Sequence, residues 1–322
     1  MSSWSITTPV DAHLNWDYRP SHPQLRTLYE KAKQAQWNAS TDVDWSTEVP
    51  FGAPLPDDSS YAMASFESSP LARRGRPIWD TFRWELQSWM VSQFLHGEQG
   101  ALVVAARLVE VAPDLDSKYC AASQAIDEAR HVEAFSRYLL TKVPQPYPIT
   151  APLAALLRDI LADPAWDITA LGMQIIVEAL AMAAFRMANT TFHDDLVKQI
   201  TKLVARDEAR HVSFGVLSLT EVYREMTTAE RTLREEMVLE ASSLMRRRFL
   251  LEDIWERLDV DRAEGVEFAA TNEMMVKYRQ AIFAKIVVAL DNIGLMTPRV
   301  RDGLDKLQLL GFAIPRSMRE AT

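Results

Sequence analysis

Six residues of this chain have the types and spacing to hold two metal ions. The run DEARHV occurs at Asp127 to Val132 and again at Asp207 to Val212, which sets Glu128 with His131 and Glu208 with His211 at i and i+3. Residues three apart share a helix face, so each Glu-x-x-His offers one carboxylate oxygen and one imidazole nitrogen to the same ion. Glu98 lies 30 residues before Glu128, Glu178 lies 30 before Glu208, and the two sets stand 80 apart. A dinuclear site in a four-helix bundle uses one glutamate from each of two helices and a Glu-x-x-His from each of the other two. With a turn midway, each antiparallel hairpin brings its glutamate level with its Glu-x-x-His.

The setting of these glutamates supports the same chemistry. Glu178 is the only acidic residue between Ile168 and Asn189, amid Met173, Ile175, Ile176 and Val177, and Glu98 precedes the apolar run Ala101 to Ala106. A buried carboxylate needs a compensating cation. Asp127 and Asp207 precede their glutamates and can reach the histidine of the opposite helix, Asp127 to His211 and Asp207 to His131. Metal-bound imidazoles commonly donate their second N–H to such a group. Arg130 and Arg210, three residues further on, are placed to hold those aspartates. Four carboxylates and two imidazoles favour iron, with manganese possible, over zinc. His13, His22, His96 and His193 are read as solvated or hydrogen-bonded.

These residues must sit on long helices, and the pattern from about Asp80 onward supplies them, with apolar residues at three- and four-residue spacing. Helices are predicted over about Asp80 to Val111, Asp116 to Lys142, Asp167 to Thr190 and Asp194 to Glu225. A fifth opens on a capping box at Thr227 and Glu230 and runs to about Leu258, and a sixth spans about Arg262 to Ile293. The last thirty residues read as a short helical cap. Residues 1–76 carry many prolines, serines and aspartates, with Trp4, Trp16, Trp37 and Trp45 among them. Disordered segments are poor in aromatics, so this stretch reads as an ordered wrap anchored by its tryptophans on a helical domain, 77–322.

Composition narrows the class. Apolar residues make up 48% and charged ones 25%, which excludes disordered and fibrous chains. The net charge of -9 argues against a nucleic-acid footprint. The basic run Arg246, Arg247, Arg248 reads as a solvated or salt-bridged helix face. Cys120 is the single cysteine, which excludes an internal disulfide framework and suits a reducing compartment. No run of 18 uninterrupted apolar residues and no secretory leader pattern occur, so a cytoplasmic protein without a membrane span is expected.

With Glu98, Glu128, His131, Glu178, Glu208 and His211 in this order, the chain resembles the ferritin-like di-iron carboxylate superfamily, and its additional C-terminal helices resemble the oxidase and oxygenase branches. QFLHGEQGAL around Glu98 and LYEKAKQAQWNASTDVDW near the N-terminus are similar to p-aminobenzoate N-oxygenase-like proteins. Those enzymes place a further histidine ligand four residues before the second Glu-x-x-His, where this chain has Val204. Ribonucleotide reductase small subunits place a radical tyrosine four residues after the first ligand histidine, where this chain has Phe135, although Tyr138 lies nearby. The resemblance implies an all-α, ferritin-like four-helix bundle in which two irons activate dioxygen to oxidise a small organic substrate. It also implies a ferredoxin or flavin reductase as electron donor and a homodimer. A reductase-like ligand-binding oxidase and an iron-handling ferroxidase are the alternative readings. Leu95, Leu102, Phe135, Gln174, Ala181, Met182 and Phe185, each about a turn from a ligand, are the expected pocket walls.

Overall fold

The computed structural model describes residues 4–7 and 10–312, and among these residues the chain forms helices and connections with no strand. Thirteen α-helices follow one another: α1 Pro23–Gln34, α2 Ser60–Glu67, α3 Arg76–Val111, α4 Leu115–Lys142, α5 Ala151–Ala162, α6 Trp166–Ala170, α7 Glu178–Thr191, α8 Asp195–Glu225, α9 Thr228–Arg248, α10 Glu252–Arg257, α11 Arg262–Thr271, α12 Glu273–Asn292 and α13 Pro298–Lys306. Between α6 and α7 the helix continues without a break as a π segment, Leu171–Val177.

The architecture is a ferritin-like bundle. α3 pairs with α4 along its length, α7 pairs with α8, and α4 packs beside α8 to join the two hairpins. The turn between α3 and α4 forms where Pro113 stops the first helix and Asp114 caps the next by accepting from Ser117 N. The continuous helix Trp166–Thr191 has the length and composition of a membrane span, yet 83% of its apolar window is buried within the protein. It is the core helix of the bundle.

Two of the expected long helices are interrupted. The fifth opens on the Thr227–Glu230 capping box but ends at Arg248, and Leu251 adopts φ 60 before α10 begins. No glycine or proline marks this break. Phe249 and Leu251 are both buried and lie too close in sequence for one continuing helix face to bury them together. The sixth is interrupted at Asn272, whose side chain accepts from Met274 N and Met275 N and restarts the helix as α12. α13 supplies the C-terminal cap, and the remainder of that expected cap, residues 313–322, lies outside the described residues.

The N-terminal stretch packs across α4 and α8 through α1. Asp116 at the start of α4 ties it down, accepting from Ser21 N and His22 N at 2.8 Å and from Arg26 Nε at 2.8 Å. The four tryptophans do not all act as anchors. Trp37 is buried and Trp45 is half-buried under Arg137, but Trp16 is 73% exposed and Trp4 44% exposed. Trp16 stands before α1 and projects into solvent, whereas Trp37 follows α1 and donates to Asp207 inside the bundle.

Candidate metal centre

α3 carries Glu98, α4 carries Glu128 and His131, α7 begins at Glu178, and α8 carries Glu208 and His211. All six are buried. Their ligand atoms form two overlapping quartets, Glu98, Glu128, His131, Glu208 and Glu128, Glu178, Glu208, His211, with the atoms of each quartet within 4.8 Å of one another. Glu128 and Glu208 belong to both, so each would serve either of two ions. The histidine rings are oriented alike. His131 Nδ1 faces Glu98 Oε2 at 3.0 Å and Glu128 Oε2 at 3.2 Å, while His211 Nδ1 faces Glu128 Oε1 at 3.1 Å and Glu208 Oε2 at 3.2 Å.

The residues present fit a pair of hard cations. Four carboxylates meet only two imidazoles in a dry interior, and Glu208 Oε1 is buried without a hydrogen bond. Burial, and then the charges of Glu208 and Glu128, push Glu98 and Glu178 well above the usual carboxylate range. Burial disfavours an imidazolium at His131 and His211, but the carboxylates around each ring hold both well above the usual histidine value. Without ions the cluster therefore retains protons where metal charge would otherwise sit.

Behind the histidines, His131 Nε2 lies 3.1 Å from Asp207 Oδ2 and His211 Nε2 lies 3.3 Å from Asp127 Oδ2. Arg210 Nη2 donates to Asp127 at 2.8 Å and to Asp207 at 2.7 Å, and Arg130 Nη2 reaches the same two aspartates. Burial alone would raise Asp207, but its bond to the His131 ring, the charges of His131 and Arg210, and the Trp37 indole hold it well below the carboxylate range.

Several contributors were not evident in the sequence reading. Gln124 Nε2 donates to Glu128 Oε1 at 3.0 Å and to Glu178 Oε1 at 2.9 Å, linking the two hairpins at the site. Its i−4 spacing from Glu128 was the available signal. Gln36 Nε2 donates to Asp127 at 3.0 Å and Trp37 Nε1 to Asp207 at 2.7 Å, so the N-terminal segment completes the network. The π segment ends at Glu178, whose N–H bonds to Met173 O, and a wide turn of this kind beside a site re-aims the residues around it. It turns Gln174 toward Gln124, to which it donates. Gly215 permits the close approach of α8 there, since a Cβ at that position would stand 2.4 Å from Gln174 Cβ.

A cavity of about 30 Å³ lies against Glu98 and Glu178, with no residue of the N-terminal segment in its lining. That is room for roughly two waters. Ala181 and Phe185 line it, but Leu95, Leu102, Phe135, Gln174 and Met182 do not. At about 100° per residue, Phe94, Gly97 and Ala101 fall on one side of the Glu98 direction and Leu95 and Leu102 on the other, and Met182 falls likewise on the far side of Glu178. Phe135 lies behind Phe185, stacked on it at 5.7 Å, and Gln174 is held by Gln124. Tyr138 is buried elsewhere in the α4 packing, donating to Asp194, the N-cap of α8, and accepting from Gln87. The basic run also divides: Arg246 donates to Leu307 O and Arg247 pairs with Glu252, but Arg248 is buried against the cavity. It leaves the solvated face because it occupies the last position of α9, where the chain turns inward at Phe249.

A bundle whose four central helices converge six buried carboxylates and imidazoles in two shared quartets defines a ferritin-like dinuclear carboxylate protein, an oxygen-dependent oxidoreductase. The chain belongs to the P-aminobenzoate N-oxygenase AurF family, whose profile matches residues 98–294, more than half of its length and all six of the residues above. Within that match Val204 is buried in the core one turn before Glu208. No curated protein matches the chain. Among solved structures, one variant of an R2-like ligand-binding oxidase with anaerobically reconstituted Mn/Fe cofactor is 18% identical, with a TM-score of 0.50 over 87% of this chain and 95% of that one. A second variant of that oxidase is 19% identical, with a TM-score of 0.49 over 86% and 94%. The first of these likenesses supports the ferritin-like fold.

Proposed function

We propose that Glu98, Glu128, His131, Glu178, Glu208 and His211 hold two iron ions and that a small organic molecule is oxidised in the cavity beside Glu98 and Glu178. The observation carrying this reading is the pair of overlapping quartets that share Glu128 and Glu208. When bound, the metal pair supplies dioxygen activation, and the protein supplies charge, orientation and dryness. Asp127 and Asp207 accept from the outer nitrogens of His211 and His131 and keep Nδ1 of each ring turned to the ions. Arg130, Arg210, Gln36 and Trp37 hold those aspartates in place, and Gln124 fixes the carboxylates of Glu128 and Glu178. The apolar walls of the cavity exclude water from the oxidant.

The family description names an arylamine as its substrate, and Val204 leaves this chain with a six-ligand set in place of one extended by a histidine. Residues 1–76 serve as a brace on the domain 77–322. From resemblance we further infer a homodimer that receives electrons from a ferredoxin or flavin reductase in the cytoplasm, a setting that the buried thiol of Cys120 suits.

The test is metal analysis of the purified protein, then anaerobic ferrous loading and stopped-flow absorption on mixing with oxygen. Two irons per chain and a transient visible band, both lost in Glu178→Ala, are the expected results. A failure to bind two ions, or iron oxidised and released with no transient band, overturns the reading in favour of another metal or iron handling.

A further inference from the structure

The 80-residue repeat that places the six ligands alike in both hairpins breaks down one turn before the glutamates. Four residues before Glu128 stands Gln124, and four before Glu178 stands Gln174, whereas the corresponding positions before Glu208 and Glu98 are Val204 and Phe94. All four side chains are buried. The first two are amides bonded to each other, and the last two are hydrocarbons with nothing to donate. The two halves of the centre, matched in their ligands, are therefore unmatched in what holds those ligands.

Gln124 uses its whole amide. Its Nε2 donates to Glu128 Oε1 at 3.0 Å and to Glu178 Oε1 at 2.9 Å, while its Oε1 accepts from Gln174 Nε2. The amide is held this way round, because a turned one would set its own oxygen against two carboxylates. Both tethered glutamates belong to the quartet completed by Glu208 and His211. With Oε1 of Glu178 engaged, Oε2 is the oxygen turned toward that ring, 4.0 Å from His211 Nδ1. Glu98, in the other quartet, accepts from no amide or hydroxyl among the described residues, and its side-chain partner is the His131 ring at 3.0 Å. Glu98 and Glu178 both border the cavity, but only Glu178 is tethered.

A hydrogen bond to a carboxylate is among the stronger kind, and a group already held in its bound orientation loses less freedom when an ion arrives. We propose that Gln124, itself held by Gln174, makes the two ion positions unequal, so that the ion beside Glu178 and His211 binds first and the ion beside Glu98 and His131 binds more weakly. Gln124 and Gln174 act as positioning residues, through Glu128 and Glu178. The inference rests on the cluster holding two ions and is independent of what those ions do with oxygen.

The experiment is anaerobic calorimetric titration of the metal-free protein with ferrous iron alone, joined to crystal structures that locate the iron by anomalous scattering at one and two equivalents. Wild-type protein is expected to take up two ions in steps about 10- to 100-fold apart in affinity, the range that groups orienting metal ligands confer. At one equivalent the iron should lie beside Glu178 and His211. Gln124→Met, similar in volume and without a donor, is expected to weaken the first step by about that factor and to spread one equivalent over both positions. Gln174→Met should do the same in part, and the double variant should go no further than Gln124→Met, since Gln174 acts through Gln124. The wild type by itself overturns the proposal if its two steps are equal or if the first ion lies beside Glu98 and His131. A Gln124→Met protein that keeps the wild-type order overturns it too, as does one in which both steps weaken equally, the mark of a general structural role. Wild-type protein that takes up no iron removes the dinuclear reading as well, whereas two ions bound without preference leave that reading standing and overturn only the inequality.

Discussion

The Trp37 indole donates to Asp207 at 2.7 Å across 170 positions of sequence, and the same carboxylate oxygen faces His131 at 3.1 Å. The N-terminal segment thereby reaches the metal centre through one aspartate. Trp37 also lies 6.2 Å from the His131 ring, and Arg130 packs 4.9 Å over its face. Trp37→Phe is expected to cost about 1–3 kcal/mol, because Asp207 loses a buried donor. It should also weaken metal binding about tenfold through a less restrained His131. Thermal unfolding and a competitive metal titration check both, and unchanged affinity would show that the arginines alone hold Asp207.

Metal loading should release protons. Glu98 and Glu178 stand well above the usual carboxylate range because of burial and neighbouring carboxylates, and His131 and His211 stand well above theirs because of the carboxylates around them. The protons that these glutamates and imidazoles hold leave as the ions bind. Apparent affinity should fall as pH falls, since each proton competes with metal. Titration of ion-free protein at neutral pH in two buffers of different ionisation enthalpy measures the number, and heats that do not depend on the buffer would contradict it.

Gly97 lies inside α3, and a Cβ there would meet nothing within 4 Å. Gly97→Ala should stabilise the protein by about 0.5–1 kcal/mol, the usual difference between these residues within a helix. Because Gly97 lines the cavity, Gly97→Leu should block ligands there while leaving metal content intact. Equilibrium unfolding checks the first outcome, and ligand binding with metal analysis checks the second.

Asp116 should make the attachment of the N-terminal segment acid-sensitive. Burial raises this carboxylate, but two N–H groups, from His22 and Ser21, together with Arg26 hold it below its ordinary value. A carboxylate lowered by folding contributes its full stability above the unfolded value and loses it as pH falls through the folded value. Wild-type protein should therefore protect residues 20–37 from protease at neutral pH and lose that protection in strong acid, whereas Asp116→Asn should lack most of it at every pH. An acid-active protease gives the comparison below pH 4, where the difference between the two should shrink.

The sequence by itself determined which residues can meet. The 30-residue spacing within each hairpin and the 80-residue repeat place Glu98, Glu128, His131, Glu178, Glu208 and His211 at one level of a bundle, because helical rise and turn position leave little freedom. The capping residues Thr227 and Asn272 acted through bonds to their immediate neighbours, although only the first was read as a signal. What the tertiary structure decided was less local. The π segment before Glu178, the break after Arg248 and the phase of α3 that turns Gly97 rather than Leu95 into the cavity follow from packing between helices distant in sequence. The same holds for Trp37 and Gln124. Their side chains are ordinary at their own positions and gain chemical meaning only when the fold sets one against Asp207 and the other against Glu178. Local rules fix which faces are apolar, but the partner that each face buries is chosen by the whole chain.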